Sequence, residues 1–425
     1  PASHRRVIAS ANASEGEDFK DCSSTMQGVD VESGSADFCA SDEEDSGMVW
    51  QFAGQGTLVV GVGREVYDTE DSFRASMDVC DDLLRGEMSI AASDLLYPEI
   101  SSKFSLEDAT SMLQETRYAQ PILVALEYCL SEVWLSQGVR PRIVVGHSLG
   151  EYTAAVVAGV MSISDCLRLV CMRGRLMHEN LDCRGCMVAV RATVDEVEDA
   201  IKRARTAEGA SLAAINGKRS LVLSGTESAV KRTLDCLVGV GSQRLNVQHG
   251  FHSPCAASVL PEFREALRKV PLSAPTDVRF VSTVLGREVE EEVTNPDYWC
   301  QHITGTVLYQ PAVEKACDLG GKVFVEIGPG ETLSKLSSKS IIGIPKSKAE
   351  DTQCLTLLNL LSTDRTEFNA ITATTMSNMK IEKERIRADN KTGTKYQRAA
   401  KRYGKATDVH RLLQQMHRET LSSSC

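Results

Sequence analysis

Ser148 stands between two glycines in Gly146-His147-Ser148-Leu149-Gly150-Glu151-Tyr152, after the apolar run Ile143-Val144-Val145 and before the small-residue run Thr153 to Gly159. Gly-x-Ser-x-Gly between a strand and a helix is a nucleophile elbow. Its glycines let a strained turn fit tightly, expose the hydroxyl above the sheet, and aim neighbouring N–H groups at the same space. A Gly-flanked loop serine satisfies the same pentapeptide, so the flanking strand and helix carry the weight. A serine hydroxyl also needs a base within hydrogen-bond reach. The chain holds eight histidines. His4, His410 and His417 fall in expected tails, His178 ends a helical pattern, and His147 belongs to the elbow. That leaves His249, His252 and His302. His252, between Phe251 and Ser253-Pro254 in a loop ahead of a helix, is the favoured general base, and His302 is read as a pocket residue.

The elements that must position these groups follow from periodicity. Helical spacing runs from Ser72 to Leu84 and from Thr116 to Gln137, followed by a strand, the elbow and a long helix; this alternation predicts an α/β domain with a largely parallel sheet. Residues 186–248 read strand, helix, strand, strand, helix, strand ending in "SQRLNV", the order of a ferredoxin-like unit inserted in the larger domain. The chain then returns through a helix to about Lys269, strands "VRFVST" and "KVFVEIGPG", and a last core strand "CLTLLNL". The expected division is a disordered acidic segment at 1–47, a large subdomain at 48–185 and 249–364, a small subdomain at 186–248, and a basic polar tail at 365–425.

Composition narrows the function. A net charge of -11 argues against a protein that grips phosphate backbones, so no nucleic-acid partner is expected. Apolar runs are broken well short of the roughly 20 residues of a membrane helix. Fourteen cysteines without a regular framework suit a reducing, cytoplasmic setting, with a plastid or other organelle open. Cys183 and Cys186 form a C-x-x-C with no second pair at zinc spacing, and the plain-loop reading is preferred to a metal or redox one. A dinucleotide reading of the run after Phe52 fails because Val59 occupies the third glycine position.

Seven stretches together resemble one family. They are "FAGQG" (52–56), "GHSLGEY" (146–152), "MRGRLM" (172–177), "AAINGKRSLVLSG" (213–225), "HGFHSP" (249–254), "YWCQHI" (298–303) and "EIGPGETL" (326–333). Between about Met48 and Leu361 the chain resembles the malonyl-CoA:acyl-carrier-protein transacylases and the acyltransferase domains of fatty acid and polyketide synthases. The resemblance implies transfer of a malonyl group from malonyl-CoA, through an ester on Ser148, to the phosphopantetheine thiol of an acyl carrier protein, with His252 moving the proton. No bound cofactor or metal is implied. The partners implied are malonyl-CoA and an acyl carrier protein, within or beside a larger synthase.

The same resemblance assigns the oxyanion hole to the backbone N–H groups of Gln55 and Leu149, and the malonyl carboxylate to Arg173, whose planar fork suits a carboxylate. "HGFH" is similar to the "HAFH" motif that accompanies malonyl selectivity, with Phe251 crowding the α-carbon and Gly250 departing from the pattern. Family bases are oriented by a main-chain carbonyl near the position of His302, where bacterial members often carry Gln. Asn216 is expected to shape the site, with a plain turn role as the near-equal alternative. Two other readings stay open: a serine thioesterase or hydrolase using the same elbow, and a degenerate non-catalytic scaffold. The hydrolase reading lacks an evident acid between Ser148 and His252 in chain order.

Overall fold

The computed structural model describes residues 47–180, 182, 184–342, 352–357, 361, 369 and 371–373. The expected acidic segment therefore lies outside the described residues except for Gly47, as do Cys183 and nearly all of the expected basic tail. Trp134 donates to the Thr372 hydroxyl at 2.9 Å, and Thr372 is buried. Thr372 thus belongs to the core, beyond the boundary expected at 364.

Six strands form the main sheet: β1 (Met48–Phe52), β2 (Ile143–Gly146), β7 (Arg279–Ser282), β8 (Arg287–Val289), β9 (Val323–Ile327) and β10 (Gln353–Thr356), in the order β10-β9-β1-β2-β7-β8. All pairs are parallel except β7 with β8. β1 and β2 are buried along their whole length, which is why they show no apolar–polar alternation; the one polar side chain in them, Gln51, is itself buried and donates to the Tyr309 hydroxyl. The short edge strand β8 carries three residues, two of them charged, and had no sequence signal of its own.

The Thr116–Leu135 helix packs against this sheet, with Trp134 stacked on Trp50 at 5.7 Å between centroids. Beside it lies the Ile163–Glu179 helix, whose N-cap Ser162 accepts from Asp165 N at 3.0 Å.

The small unit contains β3 (Cys186–Val190), β4 (Ala210–Gly217), β5 (Ser220–Gly225) and β6 (Ser242–Arg244), with helices Val194–Ala204 and Glu227–Cys236. Its strand order β4-β5-β3-β6, antiparallel throughout, is that of a ferredoxin-like sheet. The expected strand through Val247 stops at Arg244. β6 is exposed along its length; beyond it Leu245 N still donates to Met187 O at 2.9 Å, while Leu245 and Val247 turn onto the core of the larger unit. β4 also exchanges bonds with Val307 of the larger unit: Ile215 N to Val307 O at 2.8 Å and Val307 N to Ala213 O at 2.9 Å.

Candidate active site

Phe52 ends β1 and pairs with Gly146, which ends β2, so "FAGQG" and "GHSLGEY" emerge side by side at the carboxyl ends of adjacent parallel strands. Open parallel sheets bind ligands at that edge. A methyl group on Gly146 would lie 2.1 Å from Glu151 N, and one on Gly150 would lie 2.1 Å from Phe52 O. Neither position has room for a side chain. Ser148 itself has φ 52°, in the left-handed region, a conformation costing about 1–3 kcal/mol that surrounding contacts must hold.

One such contact comes from His302 on the Pro296–Thr304 helix, whose Nε2–H donates to the Ser148 carbonyl at 2.8 Å. Beneath it, the buried Glu151 carboxylate accepts from the backbone N–H of Thr283, from its hydroxyl at 2.8 Å, and from Tyr298 at 2.8 Å. Burial nevertheless pushes Glu151 up to about 7.

His252 also has a positive φ, 55°. Ser211 on β4 donates to the His252 carbonyl at 2.7 Å, while His252 Nδ1 lies 2.9 Å from Gly305 O. A carbonyl only accepts, so Nδ1 carries the proton and Nε2 presents a lone pair. That lone pair faces Ser148 Oγ at 2.6 Å. Burial, then the positive charge of Arg173, lowers His252 to about 3, against the opposing effect of the Gly305 bond. The imidazole is therefore neutral at neutral pH, ready to take a proton from Ser148. The orienting carbonyl belongs to Gly305, three residues beyond His302.

Arg173, on the Ile163–Glu179 helix, is buried with its guanidinium 5.9 Å from the centre of the Tyr152 ring. Its charge also helps to hold His302 well below the ordinary histidine range, after burial, so it lies within electrostatic reach of both imidazoles. Leu149 begins the elbow helix Gly150–Val157 as its N-cap. Among the described residues, the N–H groups of Gln55 and Leu149 make no hydrogen bond. The Gln55 side chain is held apart from them, donating to Thr116 Oγ1 at 3.4 Å and accepting from Gln120 at 3.2 Å. Phe251 is buried with its ring 5.5 Å from that of His249, whose Nδ1 meets Thr116 Oγ1 at 3.0 Å.

Asn216, near the end of β4, accepts from His147 Nε2 at 2.8 Å. This bond joins the small unit to the elbow and gives His147 a part that sequence reading had not found. A main-chain carbonyl near His302 was expected from the resemblance, but not that it belongs to Gly305, since a carbonyl leaves no trace in residue type. Glu151 and Glu127 did leave a trace, each being a lone carboxylate in an apolar or small-residue helical run. No described helix is long and apolar enough to cross a membrane.

A family model described as an acyl transferase domain matches residues 49–384. The chain is 37% identical over 325 residues to polyketide synthase GfsB of Streptomyces halstedii, covering 76% of this chain and 6% of that protein. It is 34% identical over 295 residues to the PKS-NRPS hybrid synthetase acdB of Aspergillus candidus, covering 69% of this chain and 12% of that one. The chain thus spans a small part of these relatives.

Among solved structures, the acyltransferase domain from the second module of the salinomycin polyketide synthase superposes with a TM-score of 0.63 at 34% identity, over 73% of this chain and 68% of that one. A malonyl CoA-acyl carrier protein transacylase from Clostridium perfringens shares the fold, with a TM-score of 0.66 at 24% identity over 79% of this chain and 99% of its own. The elbow, its histidine and the inserted four-stranded sheet accordingly sit in a fold common to synthase domains and transacylases, and the chain belongs to the acyl transferase domain family.

Proposed function

We propose that the chain moves a malonyl group from malonyl-CoA to the phosphopantetheine thiol of an acyl carrier protein, in polyketide or fatty acid synthesis. The observation that carries this reading is the 2.6 Å contact between Ser148 Oγ and a neutral His252 Nε2, with the buried cation of Arg173 nearby. Ser148 Oγ attacks the thioester carbonyl as its proton passes to His252 Nε2. The C–S bond then breaks, and the leaving CoA thiolate takes that proton. The carrier thiol next attacks the malonyl-serine ester, giving its proton to His252; the C–Oγ bond breaks, and His252 returns the proton to Ser148 Oγ.

The Gln55 and Leu149 N–H groups receive the oxyanion in both halves; removing one such donor costs about 100- to 1,000-fold in rate. Arg173 binds the free carboxylate, and Phe251 disfavours a methyl branch, a discrimination worth about 1–3 kcal/mol. Orientation of His252 by a carbonyl rather than a carboxylate supports this reading over a Ser-His-Asp hydrolase.

Incubation with malonyl-CoA is expected to add one malonyl mass to the peptide bearing Ser148, and the label is expected to pass to a carrier protein faster than to water. Label that persists in Ser148→Ala, or free malonate as the main product, would overturn the reading. Arg173→Ala is expected to lose malonyl transfer far more than acetyl transfer; equal losses would remove the carboxylate role.

A further inference from the structure

The Gly-Pro-Gly turn after β9 and the lone Glu127 in the apolar "ILVALEYCL" run have no part in the chemistry above. They meet at one place. Glu127 is fully buried. Its Oε1 accepts from Ala53 N at 2.6 Å, and its Oε2 accepts from Thr153 Oγ1 at 2.7 Å. Ala53 lies two residues before Gln55, and Thr153 lies one helical turn after Leu149. Among the described residues, Glu127 is the side chain that hydrogen-bonds both the "FAGQG" loop and the elbow helix. Gly328 closes the third side: a methyl group there would lie 3.1 Å from Glu127 Oε1 and 3.4 Å from Ala53 Cβ.

We propose that Glu127 is a positioning residue that fixes the separation of the Gln55 and Leu149 N–H groups by bonding both segments that carry them. The inference rests on the oxyanion role proposed for those two groups. β1 and β2 pair only as far as Phe52 and Gly146. Both N–H groups lie beyond that last pair and beyond the His147 N to Phe52 O bond at 2.8 Å that closes it, where no further backbone bond joins the two segments among the described residues. Burial holds Glu127 well above the ordinary carboxylate range, so the bridge rests on geometry and not on charge: one buried side chain bonds each segment, at 2.6 and 2.7 Å. A shift of about 1 Å in a positioned group can cost about 100-fold in rate. Gly328 then has a stated reason to lack a side chain, since one would press on the carboxylate that sets the spacing.

Loss of an interaction realised only in the transition state lowers kcat and leaves KM unchanged. Single-turnover acylation of Ser148 by malonyl-CoA, with steady-state transfer to a carrier protein, therefore tests the role. Glu127→Gln keeps an acceptor for Ala53 N and offers Thr153 a donor, and is expected to stay within about 3-fold of the parent rate. Thr153→Val cuts only the helix half of the bridge and is expected to lower kcat about 3- to 10-fold at constant KM, with Thr153→Ser restoring it.

A folded Thr153→Val that acylates at the parent rate overturns the proposal. So does a loss seen in KM alone, or a Glu127→Gln variant as impaired as Glu127→Ala. If the parent protein itself never acylates Ser148, the oxyanion reading fails and this inference falls with it; parent acylation with an unaffected Thr153→Val isolates the failure to Glu127.

Discussion

The small unit and the elbow obey different rules. In the Val194–Ala204 helix of the small unit, Thr193 caps the N-terminus and Glu196 reaches back to Thr193 N at 2.7 Å, a reciprocal capping box written in four consecutive residues. The Glu227–Cys236 helix is capped by Thr226 in the same local way. At the elbow, Ser148 and His252 hold left-handed backbone that neither residue type favours, and contacts from β1, β4, His302 and Gly305 keep them there. Local rules build the scaffold, and long-range contacts aim the chemistry.

The sharpest way to break that contrast is to add one methyl group in each region. Gly150→Ala drives Cβ to 2.1 Å from the Phe52 carbonyl and is expected to cost more than about 4 kcal/mol, or to abolish folding. Gly241→Ala in the small unit meets only the Arg191 side chain at 3.6 Å, an ordinary contact, and is expected to stay within about 1 kcal/mol of the parent. Urea unfolding of the two variants measures the difference. Equal midpoints would mean that the elbow is less tightly determined than its contacts imply.

A smaller effect separates the regions by pH. His147, His249, His252 and His302 all lie in or beside the site, and residues 186–248 contain no histidine. Because His252 is held down to about 3, its base form persists far below the ordinary histidine range. Acylation of Ser148 is therefore expected to stay level from pH 8 to about 5, instead of halving near 6.5. Arg173→Ala removes the second-largest cause of the depression, so the acid limb should move to higher pH.

Stability carries the same sign. An unfolded histidine takes its proton near 6.5 and the folded one near 3, so between those values the folded state loses about 1.4 kcal/mol per pH unit as pH falls. Glu151, raised to about 7, works the other way and adds stability as pH falls through 7. His252→Asn is therefore expected to be less acid-labile than the parent between pH 6.5 and 5, by about 2 kcal/mol at most in urea unfolding. A parent acid limb near 6.5 would mean that His252 is more hydrated than its burial implies.

The contrast also explains what the sequence disclosed. The ferredoxin-like order of residues 186–244 and the central parallel strands were legible because alternation, caps and apolar runs are local signals. Gly146 and Gly150 were legible because a crowded turn selects against any side chain. Ser148 and His252 could be paired because few histidines compete for one serine, and the structure puts them 2.6 Å apart. Which residue near His302 supplies the orienting carbonyl, the tie from His147 to Asn216 and the end of the core were not legible. The first acts through a backbone atom, the second spans 69 positions, and Thr372 joins the core through a single bond to Trp134. Glu127 was visible as an anomaly of type, a charge among aliphatics, but its partners were not.

The smallest expected effect tests whether the small unit is mechanically separate from the chemistry. Thr193→Ala removes the capping box and is expected to cost about 1 kcal/mol. None of the Thr193 bonds reaches Ser148, His252 or Asn216. The acylation rate should therefore be unchanged while the unfolding midpoint falls. β4 offers the route by which this could fail, since Ser211 holds the His252 carbonyl and Thr306 Oγ1 donates to Leu212 O at 2.7 Å. If Thr193→Ala slowed acylation in step with its loss of stability, strain in the small unit would be passing through β4 into the base. The two regions would then differ in how they are encoded but act as one body.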